Sequence, residues 1–275
     1  MTQPPEPPPI ERLLALMARL RDPERGCPWD LEQDFASIAP HTIEEAFEVA
    51  EAIERGDMKA LCDELGDLLF QIVFYAQMAR ERGAFDFDAV ADGLVAKMVR
   101  RHPHVFGDTS IESSEAQTRA WEDHKAEERR ERAELEGRAP SVLDGVTSGL
   151  PALTRAVKLQ KRAARVGFDW KVAAEVLDKV EEEVSEVRAE LESGSGTDCD
   201  RLSGELGDLL FAVVNLARRL EIDPETALRR ANGKFEHRFR RVEELLAAQG
   251  KKPANSTLDD MEAAWAQAKQ DEAQG

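Results

Sequence analysis

Seven consecutive residues, Glu-Leu-Gly-Asp-Leu-Leu-Phe, stand at 64–70 and return unchanged at 205–211. A verbatim internal copy constrains the chain before composition does, because whatever the first half folds into, the second half must be able to fold into as well. The copy has company. Glu44-Glu45-x-x-Glu48 is matched by Glu182-Glu183-x-x-Glu186, Lys97-x-x-x-Arg101 by Lys234-x-x-x-Arg238, and Trp121-x-x-x-Lys125 by Trp265-x-x-x-Lys269, all in the same order. The separation between partners drifts only slightly, as loops of unequal length allow. The pattern is a tandem duplication of one unit.

Apolar residues recur at helical spacing almost throughout, as in Leu65, Leu68, Leu69 and Ile72 or Val180, Val184, Val187 and Leu191, and strand-like alternation is scarce. The expected fold class is therefore all-α, with four helices per unit. Breaks are predicted at Gly56–Asp57, Gly83 and His102–Pro103, with Ser113 or Ser114 opening the next helix. In the second half SGSGTD at 193–198 reads as a loop, Asp223–Pro224 opens a helix, and Gly250–Pro253 precedes a last helix opened by Thr257. The expected division is a disordered proline-rich tail at 1–10, a first unit at 11–136, a connector at 137–150 and a second unit at 151–275.

A formal net charge of −18 disfavours a nucleic-acid polymer or an anionic membrane as partner. The three cysteines, Cys27, Cys62 and Cys199, form no CxxC pair, so they read as reduced thiols rather than a disulfide framework or a zinc site. The opening MTQPPEPPPIE is unlike a signal peptide, and no apolar run approaches the roughly 20 residues that span a bilayer. The expectation is a soluble, cytoplasmic protein.

Residues three apart on a helix share a face. Glu183 and Glu186 therefore project together, as do Glu205 and Asp208 on the next helix, and a short loop makes the two helices antiparallel neighbours. Glu183 lies beside Val180, Val184 and Val187, and Glu205 beside Leu202 and Leu209, which puts the acids at the rim of the core. Carboxylates crowded there repel one another and suffer partial desolvation. A hard divalent cation removes that conflict, and oxygen ligands without His or Cys suit Mg2+ or Mn2+. Taken singly, E-E-x-x-E is ordinary helix surface, and Thr42-x-x-Glu45 can be read as a capping box.

Lys234 and Arg238 are one turn apart, as are Trp265 and Lys269. Each pair alone reads as solvated surface or, for Trp265, as a core plug. Following the same acids in both halves of an acidic chain, they suggest a nucleotide site in which the bases neutralise phosphate and the indole stacks on a base. No G-x-x-x-x-G-K-[ST] loop is present, which argues against a P-loop enzyme.

E-E-x-x-E followed by E-x-x-D on the next helix resembles the MazG nucleoside triphosphate pyrophosphohydrolases of the all-α NTP pyrophosphatase group. CPWD at 27–30, HPHVF at 102–106, RAARVGFDW at 162–170 and KFEHRF at 234–239 resemble the long, duplicated MazG form. The resemblance implies tandem MazG-type helical bundles, a homodimer, and Mg2+-dependent hydrolysis of an NTP or dNTP, ATP among them, to NMP and pyrophosphate. It makes Glu183, Glu186, Glu205 and Asp208 the metal ligands of the second unit and Glu45, Glu48, Glu64 and Asp67 those of the first. Lys234, Arg238, Trp265 and Lys269 would hold the nucleotide. Glu182, or Glu44 in the first unit, is a candidate proton acceptor; either can equally face solvent. The second unit is favoured as the catalytic one, because His102-Pro103 interrupts the first basic helix whereas 234–246 runs on unbroken. Alternatives are a narrower dUTPase- or dCTPase-like enzyme and a non-catalytic nucleotide-sensing scaffold.

Overall fold

The computed structural model describes residues 6–107, 113–192 and 199–274. Two compact units divide the chain, Met1–His124 and Lys125–Gly275. Among the described residues there are twelve α-helices, one short 3-10 turn at Pro253–Asn255 and no strand. The helices are α1 (Pro9–Leu20), α2 (Pro28–Glu32), α3 (Phe35–Arg55), α4 (Met58–Glu81), α5 (Phe87–Arg101), α6 (Pro103–Phe106) and α7 (Ser114–Leu135). They continue with α8 (Ala152–Arg165), α9 (Ala173–Glu192), α10 (Cys199–Arg219), α11 (Pro224–Ala248) and α12 (Leu258–Gln274).

Local chemistry sets the boundaries. Asp34 caps α3 by accepting from Ala36 N and Ser37 N at 2.8 Å, while Ser37 Oγ accepts from Asp34 N at 2.9 Å. The capping box therefore lies upstream of Thr42, which sits inside α3 with its hydroxyl 2.8 Å from Tyr75 Oη. The reading of Thr42 as a cap is thus corrected. Helix α3 stops at Gly56, whose φ of 66° is left-handed, and Asp57 at once caps α4. Asp223 caps α11 through Thr226 N at 2.7 Å, and Thr257 and Asp260 exchange bonds at the head of α12. Of the expected tail, residues 1–5 lie outside the described residues, and Pro9 already opens α1. The expected loop at 193–198 also lies outside them.

Contacts between α3 and α4 run in reverse order along the two helices, Thr42 meeting Tyr75 and Glu48 meeting Glu64, so the pair is antiparallel. The same holds for α9 and α10, where Glu190 pairs with Arg201 and Glu183 meets Asp208. To each pair an extra helix is added that a four-helix scheme omits: α1 packs on α4, and α8 on α10. Its effect is local. Met17 of α1, Ile38 of α3 and Val73, Phe74 and Met78 of α4 form the first unit's buried cluster, at the C-terminal end of α4. The N-terminal half of α4 buries no side chain fully, and Leu65 and Leu69 stay exposed there, as Leu206 and Leu210 do on α10.

The remaining helices break the symmetry. Helices α11 and α12 close on a core of Val242, Leu246, Ala264 and Ala268, with cross-links Arg238–Glu272, Arg241–Asp271 and Lys251–Asp260. By contrast α5 has no buried residue, and no buried apolar cluster joins it to α7 among the described residues. His102 ends α5, and Pro103 begins the short α6 rather than a plain loop. Helix α11 runs unbroken from Pro224 to Ala248.

Candidate metal centres

In the first unit Glu45, Glu48 and Glu64 each offer a carboxylate oxygen, all within 4.8 Å of one another. The fourth expected ligand, Asp67, is exposed and outside this triad, but its charge acts on Glu45 and Glu64. Burial pushes the Glu45 carboxyl up, and Asp67, Glu48 and Glu64 add repulsion. Burial likewise pushes Glu64 up, followed by Glu48, Asp67 and Asp63.

In the second unit the triad is Glu183, Glu205 and Asp208, again within 4.8 Å. Glu186 is exposed and outside it, its carboxyl pushed up by desolvation and by Glu183, with Lys179 opposing. Glu183 is deeper than the rim position expected of it, only 5% exposed. Its Oε1 accepts from Lys179 at 2.8 Å, whereas its Oε2 is buried with no hydrogen-bond partner. A buried, unpartnered carboxylate oxygen is costly unless something else meets it. With an all-oxygen donor set converging beside it, the cluster fits a hard divalent cation. Glu182, the candidate proton acceptor, is exposed and held by Lys179 at 3.0 Å; Glu44 faces His41 at 3.7 Å.

The basic set comes from α11, with Lys234 and Arg238, and from α12, with Trp265 and Lys269. Arg238 donates to Glu272 at 2.8 and 2.9 Å, and its guanidinium lies 5.8 Å from the Trp265 ring centroid. Trp265, partly buried, packs on the α11–α12 core and, at 5.3 Å, against Phe235. Lys234 and Lys269 are exposed and make no ion pair among the described residues. Arg238 meets Trp265, and among the described residues none of the four forms an ion pair with a carboxylate of the cluster.

Two features escaped sequence reasoning. Lys179 stands one turn before Glu183, a position that i,i+4 pairing alone flags. Gly66 and Gly207, between the acids of each copy, sit mid-helix where an added Cβ would meet no atom within 4 Å.

Fold and site define a class: an all-α protein of two repeated units, each holding a carboxylate cluster between antiparallel helices and suited to a metal ion. Comparison with known proteins narrows it. The MazG nucleotide pyrophosphohydrolase domain matches residues 33–106 and 173–242. The chain is 52% identical over 263 residues to a nucleoside triphosphate pyrophosphohydrolase of Escherichia coli (strain K12), covering 96% of this chain and 98% of that one. It is 42% identical over 261 residues to a nucleoside triphosphate pyrophosphohydrolase/pyrophosphatase MazG of Thermotoga maritima, covering 94% and 95%. The chain belongs to the MazG nucleotide pyrophosphohydrolase family. Each match takes in one carboxylate cluster, whereas Trp265 and Lys269 lie beyond the second.

Proposed function

We propose that this enzyme hydrolyses nucleoside triphosphates, ribo and deoxy, between the α and β phosphates to NMP and pyrophosphate, with Mg2+ as its cation, Mn2+ as a substitute, and broad tolerance of the base. The observation that carries the reading is the second carboxylate cluster, where the buried Glu183, one oxygen of which has no hydrogen-bond partner, stands together with two further carboxylates. When bound, the cation lowers the pKa of an attacking water and neutralises charge on the phosphoryl oxygens. Glu183, Glu205 and Asp208 hold it, with Glu186 alongside. The exposed Glu182 takes the proton of the water, and Lys234, Arg238 and Lys269 balance the remaining phosphate charge. Arg238 over Trp265 offers a flat cationic and aromatic surface that any base can use, which favours tolerance over selectivity. Glu45, Glu48, Glu64 and Asp67 form the equivalent metal set in the first unit, and the unbroken α11 favours the second unit as the catalytic one.

The test is product analysis by ion-exchange chromatography on the eight common NTPs and dNTPs with Mg2+, for wild type, Glu205→Gln and Glu64→Gln. NMP plus pyrophosphate from most bases, abolished by Glu205→Gln and spared by Glu64→Gln, is the expected result. Loss only in Glu64→Gln moves the site to the first unit, and one accepted base marks a narrower dUTPase- or dCTPase-like enzyme. Nucleotide binding without pyrophosphate from any base marks a sensing scaffold.

The protein also acts as a homodimer in the cytoplasm on this reading. Ile43, Phe47, Leu65 and Leu69 of the first unit and Leu206, Leu210 and Val213 of the second are exposed, and apolar faces of that kind favour a protein partner. A monomer by light scattering at micromolar concentration would overturn the dimer. No described helix is long and apolar enough to cross a membrane.

A further inference from the structure

One turn before the buried glutamate the two units differ. Lys179 precedes Glu183 by four residues, and His41 precedes Glu45 by the same interval. The Lys179 ammonium lies 2.8 Å from Glu183 Oε1 and 3.0 Å from Glu182 Oε1, so one cation spans a cluster acid and its neighbour. Glu183 is nine-tenths buried, and its other oxygen has no partner. In the first unit the imidazole turns away: His41 Nδ1 faces Glu44 at 3.7 Å, and its ring meets Trp29 at a centroid distance of 6.3 Å. No side-chain cation pairs with Glu45 among the described residues, and the charges around it are the carboxylates of Asp67, Glu48 and Glu64.

We infer that Lys179 is a resident countercation of the second cluster, which competes with an incoming divalent cation for Glu183, and that the first cluster has no such occupant. The inference rests on the metal-binding reading above. Physically, the ammonium already offsets part of the anionic field at the second cluster, and its charge-assisted bond to a desolvated oxygen must be broken before Glu183 turns both oxygens to a metal. In the first cluster, carboxylates with no side-chain cation paired to Glu45 among the described residues gain more from the same ion. The two clusters therefore load unequally, the first at the lower metal concentration.

The experiment is a titration of the full, metal-free chain with Mn2+ alone, following the electron paramagnetic resonance signal of the free ion. Two classes of site are expected, the tighter removed by Glu64→Gln and the weaker by Glu205→Gln. Lys179→Met should tighten the weaker class about tenfold, equivalent to ~1.4 kcal/mol, while Lys179→Arg keeps it weak. The reciprocal change, His41→Lys, should weaken the tighter class by a similar factor. If Lys179→Met leaves the weaker class unchanged or weakens it further with helicity intact, the inference fails while the metal reading stands. Should Lys179→Met lose helicity, His41→Lys decides alone, and an unchanged first class overturns the idea. Absence of Mn2+ binding to either cluster defeats the metal reading and this inference together.

Discussion

Replacing Glu183 by glutamine should stabilise the metal-free protein and abolish the response of its second unit to metal. In the wild type the Glu183 carboxylate lies within 4.8 Å of Glu205 and Asp208 oxygens, a separation at which two unit charges repel by about 3.5 kcal/mol at an effective dielectric near 20. Glu205 is half-buried and Asp208 exposed, so solvent screening brings each contact down to ~1 kcal/mol. The unpartnered Oε2 adds a desolvation cost of about 1–3 kcal/mol. Against these stands the ion pair with Lys179, of which a neutral amide oxygen keeps the hydrogen bond but loses ~1 kcal/mol or more of charge assistance. Glutamine also turns repulsion into attraction, because its amide can donate to the neighbouring carboxylates. The balance is a gain of ~2–4 kcal/mol, or about 4–16 °C in Tm for a unit of this size. Thermal unfolding by circular dichroism in EDTA and in Mn2+ tests it. Metal at a thousandfold excess over its Kd stabilises a competent site by about 4.1 kcal/mol, so the variant should melt above wild type in EDTA and lose all of that lead in Mn2+. A variant that melts lower in both, with helicity unchanged, would refute the reasoning, since the Lys179 pair would then outweigh everything opposing it.

Phe74 is fully buried, meets Phe70 edge-on at 6.0 Å and lies 5.3 Å from the Arg21 guanidinium; Phe74→Ala should cost ~3–5 kcal/mol in urea unfolding. A loss under 1 kcal/mol would mean that the first core is not the one described. Because Glu45 and Glu64 are pushed up from 4.5, folding favours their protonated forms. Metal-free stability should therefore fall as pH rises through their folded pKa values, and urea midpoints for Glu64→Gln should show a flatter slope than wild type. Asp169 is held below the usual carboxylate range: desolvation opposes the shift, and bonding to Arg218, the charges of Arg218 and Arg219 and the Trp170 amide outweigh it. Its contribution is present above 3.8 and lost as pH falls through the lowered value. Arg218→Ala should cost ~1–3 kcal/mol at neutral pH, discounted for the remaining Arg219 contact, and should weaken the extra acid sensitivity seen by circular dichroism.

Helix boundaries were legible where punctuation has a local mechanism. Gly56 and Asp57 end and begin helices because a left-handed backbone and a carboxylate cap are needed there, and both needs show in the residue type. The true start of α3 was missed because Asp34 and Ser37 cap eight residues before the more conspicuous Thr42-x-x-Glu45. Helices α1 and α8 lay outside the four-helix scheme, since pairing landmarks locates acids and bases rather than the amphipathic helices that cover them. Spacing also pointed to the six acids that meet in the two triads. Which three of four converge depends on how each pair packs, hence Asp67 stands apart in one unit and Glu186 in the other. Repeat order placed Lys234 and Arg238 after the acids in sequence, but nothing in a linear pattern says whether α11 leans on α10 or on α12.

Gly66 and Gly207 leave a bare strip of backbone between the two acids of each cluster helix. Glycine inside a helix forfeits about 1 kcal/mol relative to alanine, and here no neighbouring atom within the described residues requires its smallness. Alanine at either site should thus strengthen its own helix. Any accompanying loss of nucleotide turnover or of self-association would then register a body that comes within a methyl group's width of the peptide groups themselves. The two glycines make the duplicated helix a gauge of whatever arrives from outside it.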